Sequence, residues 1–142
     1  MPIINEIHVY ADGCCRGNPG ASAIGFSIYD EHGNLICEHK QCIGEATNNK
    51  AEYMAIIRAL EIATGHCRRK AFVYSDSEVV VRQINGTNRI KVPHLLELFH
   101  LVKDRERAFD SVVYTHIRRE HPKIQRVNSL ANEALDVNGF HR

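Results

Sequence analysis

The first third of the chain is dominated by segments in which apolar and polar residues alternate. Residues 6–12, 23–29 and 35–43 each show the short alternating or apolar pattern that is typical of β-strands. His32, Gly33 and Asn34 separate the last two segments and suit a tight hairpin turn. The pattern therefore predicts three consecutive strands that form an antiparallel meander.

After residue 46 the apolar residues change to helical spacing. Thr47 can cap a helix whose apolar stripe includes Ile56 and Leu60 and which ends near Gly65. The rest of the chain predicts a strand at 71–75, a short helix at 75–85, a helix around 95–102, a strand at 111–117 and a helix around 127–135. The order βββαβααβα predicts the α/β class, with helices packed on a mixed sheet.

Composition and charge bear on the number of domains and on the kind of partner. The chain has 142 residues, of which 44% are hydrophobic and 25% charged, as expected for a single domain that spans residues 1–142. The formal charge of +1 neither indicates nor excludes a nucleic-acid partner.

The cysteines and the N-terminal segment bear on the compartment. The five cysteines form no CxxC pair, so free thiols in a reducing compartment are favoured over disulfides or a zinc site. The N-terminal residues lack a leader pattern, and no segment approaches the roughly 20 apolar residues of a membrane span. We therefore expect a cytoplasmic protein without a membrane partner.

Three acidic residues occupy positions that a structural role does not explain. Glu52 lies in line with the buried stripe of its helix, where an unpaired charge would cost several kcal/mol. Asp12 and Asp76 each end a predicted strand, and ligands of open sheets gather outside the carboxyl ends of parallel strands. Three converging carboxylates repel one another unless a cation lies between them. Oxygen ligands without a His/Cys cluster favour Mg²⁺.

Four motifs in a fixed order now identify a resemblance. They are DGCCRGNPG at 12–20, TNNKAE at 47–52, YSDS at 74–77 and NSLANEA at 128–134. At these spacings the chain resembles the type 1 ribonuclease H family over nearly its whole length. The resemblance implies the ribonuclease-H-like fold: a five-stranded mixed sheet with β1-β2-β3 antiparallel, β1-β4-β5 parallel, and helices on both faces.

The resemblance also implies an activity, which is metal-dependent hydrolysis of the RNA strand of an RNA–DNA hybrid to 3′-hydroxyl and 5′-phosphate ends. Asp12, Glu52 and Asp76 match the family's first three metal-binding acids. Two Mg²⁺ ions, with Mn²⁺ as a substitute, would bracket the scissile phosphate when substrate is bound. The partner would be the hybrid, bound by a monomer that has no appended hybrid-binding domain.

The fourth acid of the family is absent. We place Asn132 at its position in the catalytic and metal site, where an amide oxygen can coordinate a metal but carries no charge. Three explanations stay open for Asn132: an active natural variant, an engineered substitution, or a protein that binds hybrids without cutting them. Another nuclease of the ribonuclease-H-like group, acting on DNA strands, is a further alternative.

Other site residues follow from the resemblance. His121 lies in the polar loop before the last helix, where a family histidine assists proton transfer, and imidazole exchanges protons near neutral pH. The expected substrate contacts are Cys15, Asn18, Thr47, Asn48, Asn49, Glu78 and Asn128. Short polar groups of this kind can contact the 2′-hydroxyls that line the minor groove.

Overall fold

A computed structural model describes residues 3–140 of the chain. Its elements are β1 (Glu6–Arg16), β2 (Gly20–Asp30), β3 (Leu35–Ala46), α1 (Asn48–Ala63), β4 (Lys70–Ser75), α2 (Glu78–Ile84), α3 (Pro93–Glu106), β5 (Ser111–His116) and α4 (Pro122–Val137). The predicted order of strands and helices is confirmed. No helix within the described part of the chain is long and apolar enough to cross a membrane.

The five strands form one mixed sheet in the order β3-β2-β1-β4-β5. β1 pairs antiparallel with β2, and β2 pairs antiparallel with β3, as the predicted meander requires. β4 pairs parallel with both β1 and β5. The predicted fold class and topology are therefore confirmed, and the carboxyl end of β4 lies beside the middle of β1.

Helices cover both faces because neighbouring strand residues point to opposite sides. Val9 of β1 belongs to the main core, which also contains Leu60 of α1 and Leu98 of α3. The next residue, Tyr10, packs on the other face against Ile124 of α4. α1, α2 and α3 thus share one face of the sheet, and α4 packs on the other.

The first strand is longer than its sequence pattern predicts. We expected β1 to end at Asp12 and a turn to follow up to Gly20, but antiparallel pairing with β2 continues to Arg16. Parallel pairing with β4 stops earlier, at Tyr10 opposite Tyr74. Asp12 therefore lies inside β1, just beyond the point where β1 and β4 separate.

Two glycines allow helices to approach the sheet closely. A Cβ atom on Gly13 of β1 would lie 2.4 Å from the backbone carbonyl carbon of Ala51 in α1. A Cβ on Gly25 of β2 would lie 2.3 Å from the carbonyl oxygen of Val127 in α4. Because only glycine fits at these contacts, the first turns of α1 and the middle of α4 lie directly against the strands that carry Asp12 and its neighbours.

Candidate metal centre

Three carboxylates from different elements meet at the carboxyl end of the parallel strand pair. Asp12 lies in β1, Glu52 in α1, and Asp76 directly after β4. Each offers an oxygen, and these three atoms lie within 4.8 Å of one another. Asp12 is 4% exposed and Glu52 is 8% exposed, so the charges are concentrated in a largely buried space. The predicted convergence of the three acids is confirmed.

The carboxylate of Glu52 is held from two sides. The backbone N–H of Gly13 donates to Glu52 Oε1 at 2.5 Å, and Ser75 Oγ donates to Glu52 Oε2 at 3.4 Å. The close approach of α1 at Gly13 makes the first of these hydrogen bonds. The buried helix stripe therefore ends on a carboxylate that the sheet holds in place.

The other two carboxylates have one side-chain donor each. Asn128 Nδ2 of α4 donates to Asp12 Oδ2 at 2.8 Å. Arg119 Nε forms an ion pair with Asp76 Oδ2 at 3.3 Å. Arg119 is 87% exposed, so this pair is a weak surface contact and leaves Asp76 free to bind another group.

The electrostatics of the cluster favour a cation. Burial raises the pKa of Asp12 to about 6, and the charge of Asp76 acts in the same direction, whereas the hydrogen bond from Asn128 opposes the rise. Burial, followed by the charge of Asp12, raises the pKa of Glu52 well above its usual value. Burial disfavours the charged form of both carboxyls, and the negative charge of the neighbouring acids adds to this effect. A divalent cation would relieve this repulsion, and an all-oxygen donor set is the type that Mg²⁺ or Mn²⁺ binds.

The carboxylates open into a cavity of about 660 Å³. It is lined by Asp12, Gly13, Cys14, Cys15, Asn48, Asn49, Glu52, Asp76, Ser77, Arg119, Gln125, Asn128 and Ser129. Apart from the acids, the lining is mainly short polar side chains and the first turn of α1. Such a surface can accept a polar, extended ligand beside the carboxylates.

Four of the predicted substrate contacts line this cavity, namely Cys15, Asn48, Asn49 and Asn128. Two others form the adjacent turn: Thr47 caps α1 by accepting from Lys50 N, and Asn18 Oδ1 accepts from Asn48 N at 3.1 Å. Glu78 is outside the lining and pairs with Arg82 at 2.7 Å on α2. The structure thus groups six of the seven residues around the start of α1 and the cavity.

Asn132, predicted as a fourth member of the cluster, lies apart from the three carboxylates. Asn132 is outside the cavity lining, and its amide oxygen accepts from Arg16 Nη2 at 3.1 Å. Asn128, one helical turn earlier on α4, contacts Asp12 and lines the cavity. Asn132 therefore does not join the carboxylate cluster as expected, because its amide bonds Arg16, and Asn128 is the α4 side chain that contacts Asp12.

His121 is held more firmly than a residue of a flexible loop. Its Nδ1 accepts from Lys123 N at 3.2 Å and so caps α4, and its ring stacks on Tyr10 with centroids 5.5 Å apart. It does not line the cavity. The Nδ1 hydrogen bond leaves Nε2 as the ring nitrogen that is free to bind another group.

Several residues that support the centre carry no recognisable signal of that role in the sequence. Gly13 and Ser75 position Glu52, and Arg119 pairs with Asp76. Gly13 and Ser75 directly follow and precede predicted acids in the chain, but this adjacency alone does not indicate the role. The pairing of Arg119 with Asp76 spans 43 positions, so no local pattern indicates it.

The mixed sheet and the carboxylate cluster beside its parallel strand pair together define the ribonuclease-H-like class of proteins. Comparison with known proteins supports the same class. Residues 10–134 match the sequence model of a family described as reverse transcriptase-like. The chain is 37% identical over 131 residues to a ribonuclease HI of Halobacterium salinarum, a match that covers 92% of this chain. The chain belongs to the type 1 ribonuclease H family.

Solved structures agree with this assignment. The crystal structure of RNase H1 from Halobacterium salinarum matches with a TM-score of 0.89 at 36% identity, covering 93% of this chain and 98% of that one. LC11-RNase H1 in complex with an RNA/DNA hybrid matches with a TM-score of 0.85 at 41% identity, again covering 93% and 98%.

Two of the relatives with strong similarity are longer than this chain. The chain spans 65% of the length of the Halobacterium ribonuclease HI. It spans 36% of a bifunctional protein of Mycobacterium tuberculosis, to which it is 35% identical over 133 residues. The family is therefore shown for the shared domain.

Proposed function

We propose that this protein is a divalent-metal-dependent endoribonuclease that hydrolyses the RNA strand of RNA–DNA hybrids to 3′-hydroxyl and 5′-phosphate ends. The observation that carries the proposal is the buried cluster of Asp12, Glu52 and Asp76 within 4.8 Å, in a chain of the ribonuclease H family. The similarity to LC11-RNase H1, whose structure contains a hybrid, supports the choice of substrate.

The three carboxylates are the groups that would hold the metal. We propose Mg²⁺, with Mn²⁺ as a substitute, and two ions when substrate is bound. Bound divalent cations supply activation of water and stabilisation of the leaving oxygen. Asp12, held by Asn128, has an oxygen within 4.8 Å of oxygens of both Glu52 and Asp76, and it would serve as a shared ligand.

The start of α1 is the proposed contact for the nucleic acid. Asn48 and Asn49 are exposed, line the cavity and belong to the first turn of the helix, and their side-chain amides can bond phosphate or hydroxyl oxygens. Cys15 Sγ donates to Ala46 O at 2.9 Å and so ties β1 to the segment that precedes α1. Thr47 and Asn18 support the same turn from behind. This surface lies beside the carboxylates and would position the strand that is cut.

We propose supporting roles for His121 and Glu78, which do not line the cavity beside the carboxylates. His121 would present Nε2 for proton transfer while Nδ1 caps α4. Glu78 can only accept a hydrogen bond as a carboxylate, and its pairing with Arg82 would have to open for it to contact a 2′-hydroxyl.

A single assay separates this function from its rivals. An end-labelled RNA–DNA hybrid, a DNA duplex and an RNA duplex of the same sequence are incubated with the protein and Mg²⁺ or Mn²⁺. We expect cleavage of the RNA in the hybrid alone, and mass spectrometry of the products should show 5′-phosphate ends. Cutting of the DNA duplex would instead support another nuclease of this fold.

The amide at the fourth position gives the main rival a specific basis. With Asn128 in place of a carboxylate, the cluster has three formal charges, which favours weaker metal binding. A protein that binds hybrids without cleaving them at any metal concentration would be the result. Hybrid binding without cleavage, together with cleavage after Asn128→Asp, would establish that alternative.

Two expectations from the sequence remain part of the proposal. We expect a monomer, which light scattering after size-exclusion chromatography would test. We also expect a cytoplasmic location, which fractionation of cells that express the tagged chain would test.

A further inference from the structure

Arg16 at the end of β1 lies under α4 and has three partners there. Its side chain is 10% exposed, and its Nη2 contacts Asp136 Oδ1 at 2.8 Å and Asn132 Oδ1 at 3.1 Å. Its Nη1 donates to the backbone carbonyl of Phe140. A guanidinium this deeply placed is costly unless it is paired, so these contacts fix its position.

Hydrogen bonds run in one direction from Arg16 to the metal centre. Arg16 donates to Asn132 Oδ1, Asn132 Nδ2 donates to Asn128 Oδ1 at 3.1 Å, and Asn128 Nδ2 donates to Asp12 Oδ2 at 2.8 Å. A guanidinium can only donate, and an ionised carboxylate can only accept. The two ends therefore set the orientation of both amides between them.

We propose that Arg16 and Asn132 are positioning residues that hold the Asn128 amide with its nitrogen toward Asp12, so that Asn128 serves as a hydrogen-bond donor to Asp12 and not as a metal ligand. The inference rests on the proposed function for its catalytic meaning. Arg16 and Asn132 thus act on the metal centre through Asn128, without contacting the carboxylates themselves.

The orientation matters because only the oxygen of an amide coordinates Mg²⁺. Asn128 Oδ1 faces Asn132 rather than the carboxylates. Turning it toward a cation would break the bonds to Asn132 and to Asp12 together. The native arrangement thus leaves the metal to Asp12, Glu52 and Asp76.

Asn132→Asp is the variant that reverses the amide. A carboxylate at this position still accepts from Arg16, but it cannot donate to Asn128 Oδ1. Asn128 would then turn its nitrogen toward residue 132 and its oxygen toward Asp12 and the cation. The change is isosteric at a half-buried position, so the fold should be retained.

The test compares Mg²⁺ binding by isothermal titration calorimetry, without substrate, in four forms of the full chain. They are the wild type, Asn132→Asp, Asn128→Ala and the double variant. We expect Asn132→Asp to bind Mg²⁺ about threefold or more tightly, and this gain to disappear when Asn128 is alanine. A gain of the same size in both backgrounds would show a charge effect alone and would overturn the proposal, as would no gain.

A second readout does not depend on metal. The side-chain amide signals of Asn128 in ¹⁵N–¹H spectra of metal-free protein should shift in Asn132→Asp and in Arg16→Met. Asp136→Asn is the matched control, because it removes the ion pair of Arg16 but leaves the bond from Arg16 to Asn132; there the Asn128 signals should stay unchanged. Unchanged signals in all variants would overturn the positioning role. Wild-type protein that neither binds Mg²⁺ nor cleaves hybrids would contradict the proposed function. The Asn128 signals would still show whether Arg16 and Asn132 orient the Asn128 amide.

Discussion

Asp12 and Glu52 are nearly inaccessible to solvent, and each has the other's charge close by. Burial and the charge of Asp76 raise the pKa of Asp12 to about 6, and burial and the charge of Asp12 raise the pKa of Glu52. Such an arrangement is unfavourable for the metal-free protein near neutral pH and becomes favourable once a cation shares the site. The fold therefore holds mutually repelling carboxylates together at the position where the proposed metal ions would bind.

This arrangement predicts a pH-dependent effect of metal on stability. The pKa of Asp12 rises from 3.8 to about 6 on folding, so the folded state binds the proton more tightly. The free energy of unfolding of the metal-free protein should then fall as the pH rises between these two values. A cation competes with the proton, so Mg²⁺ at about ten times its Kd should raise the Tm by about 3 °C at pH 7.5 and by less at pH 5.

Thermal unfolding by circular dichroism, in EDTA and in MgCl₂ at both pH values, measures this difference. Asp12→Asn is the control, since it should lose most of the Mg²⁺ effect at pH 7.5. Equal stabilisation by Mg²⁺ at both pH values in the wild type would contradict the electrostatic account.

Single residues also show the limits of the sequence. The three acids could be predicted because each stands at a recognisable place, a strand end or a helix stripe. Asn128 and Asn132 could not be distinguished, since residues four apart lie on the same helical face and spacing treats them alike. The choice between them depends on how far along β1 the helix α4 crosses, which is set by packing at Gly25 and by Arg16.

At the scale of elements, the contact between α1 and β1 brings Glu52 to Asp12. Gly13→Ala should disrupt it, because the added Cβ would meet the backbone of Ala51 and push the helix away. We expect a loss of about 2 kcal/mol in the free energy of unfolding and a severalfold loss of hybrid cleavage. Urea denaturation and a cleavage assay measure the two effects.

Gly65→Ala is the matched control for Gly13. Its Cβ would come no closer than 3.4 Å to Ile62 O, so stability and cleavage should stay near wild type. If Gly13→Ala behaves like Gly65→Ala, then α1 tolerates displacement and the close approach is not what positions Glu52.

The start of α4 depends on His121, which caps the helix and is also the proposed proton-transfer group. His121→Asn separates the two roles, because asparagine is a good N-cap but does not titrate. We expect a Tm close to wild type, a severalfold lower turnover and little change in hybrid affinity. His121→Ala should lower the Tm as well as turnover.

Single-turnover cleavage, a fluorescence binding assay and thermal melts give the three quantities. Wild-type turnover in His121→Asn would assign His121 to helix capping alone. The pH dependence of turnover, flattened near neutral pH in His121→Asn, would support proton transfer.

The length of β1 shows that a local sequence pattern does not report strand pairing. The glycine-rich segment after Asp12 predicts a turn, yet residues 13–16 stay in the strand because β2 continues to pair with them. Strand pairing is a tertiary contact, so composition alone ends the strand too early. The antiparallel meander, in contrast, follows from short connections and apolar patterns, and the parallel β1-β4-β5 pairing was implied by the family resemblance; both predictions are confirmed.

At the scale of the whole molecule, a formal charge of +1 conceals a separation of charge. The negative centre lies where β1 and β4 separate, and Arg119, exposed beside it, provides positive charge at the cavity. A substrate with a phosphate backbone would meet Arg119 and the first turn of α1 before its scissile bond reaches the carboxylates. Because phosphate contacts are screened, hybrid affinity should fall as salt rises.

The most direct test of the central claim is the rate of RNA cleavage in a labelled RNA–DNA hybrid, measured against Mg²⁺ concentration for wild type and Asp12→Asn. Asp110→Asn, in an exposed aspartate before β5, is the control. We predict a saturable dependence on Mg²⁺ for the wild type and for Asp110→Asn, and a rate lower by about 100-fold or more for Asp12→Asn. Equal cleavage by Asp12→Asn, or a wild type that cleaves nothing at any Mg²⁺ or Mn²⁺ concentration, would contradict the account.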